Sequence, residues 1–170
     1  MRSLICCGLL LFSGCTLPAI VPPTPPTLAA TSIELAPDFR LTALTGEIVA
    51  LSELRGRYVL INFWATWCLP CRDEMPYLQH LADTYAGDLT VLAINMRERP
   101  ATIQPYVDAL GITLPILLQP DDATLLSYGV RALPLSFLVD DRGQLIYRQV
   151  GPLHPDQIER LLAKQLGSNE

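Results

Sequence analysis

The sequence predicts one α/β domain, a central mixed sheet flanked by helices, and three observations carry that expectation. Tyr58-Val59-Leu60-Ile61-Asn62-Phe63-Trp64 is an apolar run rich in β-branched and aromatic residues, as a strand buried on both faces reads. Strand-like and helix-like segments alternate after it, and a hairpin and a last helix close the chain. A length of 170 residues, 50% of them hydrophobic, supports one ordinary domain and little more. The net charge of −5 is mild and no basic cluster stands out, so a nucleic-acid partner has no electrostatic support.

The chain opens with a positive Met1-Arg2-Ser3, an apolar stretch over 4–12, and the small residues Ser13-Gly14 before Cys15. That stretch is far short of the ~20 apolar residues that span a bilayer, so residues 1–14 read as a secretory signal. Phe12-Ser13-Gly14-Cys15 resembles the bacterial lipoprotein signal, which implies lipidation of Cys15 as the mature N-terminus, although Phe12 stands where that signal usually has Leu. Ordinary secretion without use of Cys15 is the competing reading. Residues 15–33 follow as a tether, with Pro18, Pro22, Pro23, Pro25 and Pro26 favouring extended polyproline II. At ~3.1 Å per residue it could hold the domain of 34–170 roughly 50 Å from a membrane.

Within the domain, Thr45-Gly46-Glu47 reads as the turn of a short N-terminal hairpin, and Leu51 to Gly56 as one capped helical turn. The central strand is followed by a helix over 68–85, which Pro76 should kink. Residues 89–95 form a second buried strand. Ile103, Tyr106, Val107 and Leu110 mark the apolar face of an amphipathic helix over 100–110. A short strand over 114–118 comes next, completing a helix–strand insertion. Asp121 caps a helix reaching Tyr128. Residues 135–140 and 144–151 make a hairpin over Asp141-Arg142-Gly143, and a helix starting at His154 or Asp156 turns Ile158, Leu161 and Leu162 inward.

The chemistry lies at Trp67-Cys68-Leu69-Pro70-Cys71, where the central strand runs into a helix. Of five cysteines, at 6, 7, 15, 68 and 71, only Cys68 and Cys71 fall within the domain. Two cysteines separated by two residues at a helix start form a dithiol that can close into a disulfide. Helix N-terminal amides favour the thiolate of the first, and Pro70 stiffens the turn where its missing N–H costs little. A purely structural disulfide is one competing reading; the other, half a zinc site, would need two further Cys or His ligands at suitable spacing, and His80 and His154 are better read as surface residues. No metal is expected, and no cofactor beyond the Cys68–Cys71 disulfide itself. Cys68, at the helix tip, is the expected nucleophile, and Cys71, shielded in the first turn, the resolving thiol. Glu74, three residues on and facing the same side, is a candidate base for Cys71. The competing reading makes Glu74 a surface charge at the helix N-terminus, which fits Asp73. Trp67 is expected to cover the disulfide and Trp64 to lie in the core. Arg97, Glu98 and Arg99 read as a solvated loop, with the lining of a partner groove as the competing reading.

WCLPC after NFWAT, followed by Glu74-Met75-Pro76, resembles the thioredoxin-like thiol–disulfide oxidoreductases of the TlpA/ResA type. The resemblance covers roughly 34–166 and implies a thioredoxin-like fold and a membrane-tethered reductase outside the bacterial cytoplasm. It implies that Glu74 matches the acidic residue such proteins carry after the dithiol, whereas the buried Asp of thioredoxin is replaced here by Asn62, which cannot titrate. Leu133-Pro134 resembles the cis-proline loop that faces the dithiol, with the Leu133 backbone free to pair with an extended substrate. Implied partners are disulfide-bearing exported proteins, such as the haem-attachment site of apocytochrome c, and a membrane thiol carrier as electron donor. An oxidase or isomerase could use the same dithiol. A peroxidase of the same fold would want a Thr three residues before its cysteine, and Thr66 is only two before Cys68. A copper-carrying module would need His80 or His154 beside the dithiol.

Overall fold

A computed structural model describes residues 34–167. The expected signal, Cys15 and the proline-rich tether lie outside the described residues. The strands are β1 (Arg40–Ala43), β2 (Ile48–Ala50), β3 (Tyr58–Trp64), β4 (Leu89–Asn95), β5 (Ile116–Leu118), β6 (Leu135–Val139) and β7 (Leu145–Val150). The helices are α1 (Leu69–Thr84), α2 (Pro100–Ala109), α3 (Asp122–Ser127) and α4 (Pro155–Leu166). One mixed sheet runs β2-β1-β5-β4-β3-β6-β7, with β3 parallel to β4 and antiparallel to β6. This is the thioredoxin-like α/β arrangement, carrying the N-terminal hairpin β1–β2 at one edge.

Every residue of β3 is buried, and the two-residue period of the strand divides them between two cores. Leu60 and Trp64 pack with Met75 and Leu78 of α1, Ile103 and Val107 of α2, and Ile158 and Leu162 of α4. Val59, Ile61 and Phe63 face the other way, onto Phe39, Leu51, Tyr128 and Phe137. Asn62 has the parity of Leu60 and Trp64, so its amide is directed to the α1 side. A polar residue inside an otherwise apolar strand needs a partner there.

Two local expectations are corrected. The turn after β2 is a 3-10 helix, Leu51–Leu54, without a side-chain cap of its own; Asp38 Oδ1 accepts the Ser52 N–H at 2.9 Å instead. The strand expected over 114–118 pairs as a strand only from Ile116. α1 continues through Pro76, which has no N–H to give the Arg72 carbonyl four residues earlier. The Tyr106 hydroxyl of α2 donates to that carbonyl at 3.3 Å, and the Arg72 guanidinium lies over the Tyr106 ring.

Candidate active site

The site forms where β3 ends. Ala65, Thr66 and Trp67 turn the chain, and Cys68 is the N-cap of α1. Its Sγ accepts the Cys71 N–H at 3.3 Å, and its own N–H donates to the Ala65 carbonyl at 3.2 Å. Cys68 and Cys71 are joined as a disulfide, their Cα atoms 5.3 Å apart. The two sulfurs are not equivalent. Cys71 is fully enclosed, whereas Cys68 keeps 7% of its surface exposed and borders a groove of about 520 Å³. Position at the helix start, with free amides facing it, is the setting that stabilises a thiolate at Cys68.

Trp67, 69% exposed, forms one wall of that groove, and Pro70, Met96, Val130, Ala132 and Leu133 form the rest of its apolar lining. The Leu133–Pro134 peptide bond is cis. Pro134 is buried, and its carbonyl accepts the Gly151 N–H at 2.9 Å, tying the loop to the end of β7. Neither the N–H nor the carbonyl of Leu133 is engaged with another backbone group among the described residues. Trp64 is fully buried and stacks near Tyr106, as the sequence suggests.

Behind the disulfide sits Glu74, one turn beyond Cys71 on α1 and buried. Its Oε1 accepts from Asn62 Nδ2 at 2.7 Å and its Oε2 from the Leu153 N–H at 3.0 Å. Asn62 Nδ2 also donates to the Ser136 hydroxyl at 2.9 Å, which leaves Asn62 Oδ1 buried and without a partner. Burial pushes the Glu74 carboxyl above its ordinary value, and the two donated hydrogen bonds offset only part of that rise. A second cavity of about 260 Å³, lined by Pro70, Tyr77, Pro152 and Pro155, reaches Glu74. Asp73, by contrast, is exposed, as a surface charge should be.

The loop after β4 departs from expectation. Glu98 is half-buried and clamps the turn ahead of the cysteines. One carboxylate oxygen accepts from the Thr66 hydroxyl, and the other from the Thr66 N–H at 2.7 Å and Asn95 Nδ2 at 2.8 Å. Arg97 is also anchored, its Nε donating to the Pro120 carbonyl at 2.9 Å and its guanidinium paired with Asp122. Arg97 and Arg99 are both exposed, and of the two only Arg99 has no side-chain partner among the described residues. Asn95 lies in register with Trp64, and that pairing brings the β4 loop beneath Thr66. The sequence signal that could have exposed the clamp was Asn95 itself, a polar residue ending a buried strand.

His80 and His154 are exposed, and no group of three His, Cys, Asp or Glu side chains able to hold a metal occurs among the described residues.

A disulfide with one reachable sulfur at a helix N-terminus, faced by a cis-proline loop, defines a thioredoxin-like dithiol–disulfide protein. Residues 34–148 match the AhpC/TSA family, and the chain belongs to that family. It is 39% identical over 128 residues to the thiol-disulfide oxidoreductase ResA of Geobacillus kaustophilus, covering 75% of this chain and 74% of the relative. Among solved structures, a thiol:disulfide interchange protein of the thioredoxin family from Chlorobium tepidum superposes with a TM-score of 0.73 at 25% identity, covering 81% of this chain and 99% of the other. The exposed lipoprotein thioredoxin of Streptococcus pneumoniae gives 0.67 at 28% identity, covering 75% and 99%. The chain is thus a thiol–disulfide oxidoreductase acting on disulfide-bearing substrates.

Proposed function

We propose that the protein reduces disulfides of exported polypeptides outside the cytoplasm, held at a membrane by a lipid on Cys15 and the proline-rich tether. The observation that carries the order of attack is the asymmetry of the pair: Cys68 faces the groove, and Cys71 is sealed off with Glu74 behind it. In the reduced protein the Cys68 thiolate attacks one sulfur of the substrate disulfide. A Cys68–substrate disulfide forms, the substrate S–S bond breaks, and one substrate thiolate leaves. Cys71 then gives its proton to the Glu74 carboxylate and attacks Cys68 Sγ. The internal disulfide closes, the second substrate thiolate leaves, and two electrons have passed to the substrate.

A carboxylate whose pKa burial has raised is a better match for a thiol proton than an ordinary glutamate. The orphaned Asn62 Oδ1 supports a role for the neutral form as well. An amide flip would present it to a protonated Glu74 as an acceptor, so the pocket has a partner for either charge state. The proton can then leave through the cavity under Tyr77. Trp67 and the free Leu133 backbone beside Pro134 receive the substrate as an added extended segment. An oxidised haem-attachment site of apocytochrome c is a substrate of this kind, with a membrane thiol carrier restoring the dithiol.

The test is a trap. Cys71→Ser, incubated reduced with a disulfide-bonded peptide, should accumulate a mixed disulfide at Cys68 that the wild-type protein resolves. A Cys71→Ser protein that forms no adduct at Cys68 would count against the assignment of Cys68 as nucleophile.

A further inference from the structure

Resting on the reductase reading above, we propose that this groove selects polypeptides carrying an acidic side chain close to the reactive cysteine, with Arg131 as the selecting residue. The groove beside Cys68 has apolar walls, and Arg131 is the one charged residue among those lining it. Arg131 is exposed and takes part in no ion pair or side-chain hydrogen bond among the described residues. Arg97 and Arg72, by contrast, are engaged: Arg97 with Asp122 and the Pro120 carbonyl, Arg72 over the Tyr106 ring. A free guanidinium at the rim of an apolar groove is placed to meet a carboxylate, and its planar fork suits that group.

Arg131 stands two residues before Leu133, whose unpaired backbone is the docking edge, with the chain bending through 132–134 into β6. A substrate laid along Leu133 with its cysteine at Cys68 therefore runs past Arg131 within a few residues of that cysteine. Past Val130 and Arg131 the surface dips again into a second hollow lined by Leu125 and Leu126, the latter 79% exposed. Arg131 borders both hollows, so an occupant long enough to fill them must pass it. The one carboxylate lining the second hollow, Asp122, is already neutralised by Arg97. The occupant that fits is an extended segment with apolar side chains on either side of one acidic residue.

Whole-molecule charge works the other way, since a net −5 attracts basic substrates at long range. At about 0.15 M salt the Debye length is ~8 Å, so the contact at Arg131 outweighs the distant field.

The experiment uses three synthetic peptides with one disulfide and leucines flanking it, differing only in Glu, Gln or Lys two positions before the reactive cysteine, and a second set with the change two positions after. Reduction is followed with the wild-type protein and with Arg131→Glu, in 0.15 M salt. The wild type should show kcat/KM higher for the Glu than for the Lys peptide by roughly fivefold to tenfold in one of the two sets, as expected of one partly exposed charge pair. Arg131→Glu should reverse that order, a result that general damage to the groove would not produce. Equal kcat/KM for Glu and Lys peptides would overturn the selectivity and leave the reductase reading standing. A preference unchanged in Arg131→Glu would remove Arg131 from it. Failure of the wild type to reduce any peptide would overturn the reductase reading, and the selectivity with it.

Discussion

Glu74→Gln separates the proposed proton transfer from the packing around it. Gln preserves the volume and offers one acceptor and one donor, as a neutral carboxyl does, so Asn62 and the Leu153 N–H can be accommodated as in the protonated wild type. What is lost is the base. A positioned general base contributes about 10²–10⁴-fold, and because the cavity under Tyr77 lets water reach the site, the loss should fall near the lower bound, about 100-fold. The assay loads Cys68 with a chromophoric aryl thiol and follows its release by Cys71. In the wild type this release should rise with pH through the raised pKa of Glu74, and in the variant only with ionisation of the thiol, near pH 8.5 for an ordinary cysteine. Stability offers an independent reading. The folded state holds the Glu74 proton more tightly than the unfolded chain, whose carboxyl titrates near the ordinary 4.5. Glu74 therefore destabilises the fold progressively as pH rises from that value through its raised folded value, and the variant lacks this loss. Glu74→Gln should match the wild type at pH 4 and exceed it at pH 8, each ~1.36 kcal/mol of excess reporting one unit of the shift. Release at the wild-type rate, with parallel stability profiles, would refute the reasoning.

Two further substitutions probe the supports of the site. Glu98→Ala strips Thr66 and Asn95 of a shared acceptor, and with water able to replace part of it the loss should be about 2 kcal/mol, read by chemical denaturation. A loss near zero would return the Arg97-Glu98-Arg99 loop to a solvated segment. Tyr106→Phe removes the donor that serves the Arg72 carbonyl beneath Pro76 and should cost about 0.5–1 kcal/mol at this partly exposed position. Its stacking on Trp64 and under Arg72 survives the change, so a larger loss would contradict this account of α1.

The fold was legible because its signals are local. Parity along β3 and helical spacing in α1, α2 and α4 are written within a few residues of each other, and they determine which face each side chain takes. The dithiol was legible for the same reason, as was Glu74 through its three-residue spacing from Cys71. The surroundings of Glu74 were not. Asn62, Ser136 and the Leu153 N–H meet there from sequence separations of 12 to 79, and an asparagine read only as unable to titrate proves to hold the carboxylate in place. Glu98 was misread because a charge run after a strand is ordinarily solvated, and the one local cue, Asn95 at the end of a buried strand, does not show by itself that the β3–β4 register folds Glu98 under Thr66. Arg131 has no local signature either; its setting comes from the loop that delivers Leu133 to the dithiol.

The reduction potential of the Cys68–Cys71 pair, measured on the purified protein by equilibration against dithiothreitol and glutathione, tests the central claim most directly. The account predicts a reducing couple near the thioredoxin value of about −270 mV, so that the dithiol passes electrons to substrate disulfides. A value near about −120 mV would contradict it, because such a pair draws electrons from its partners and would make the protein a disulfide-forming oxidase.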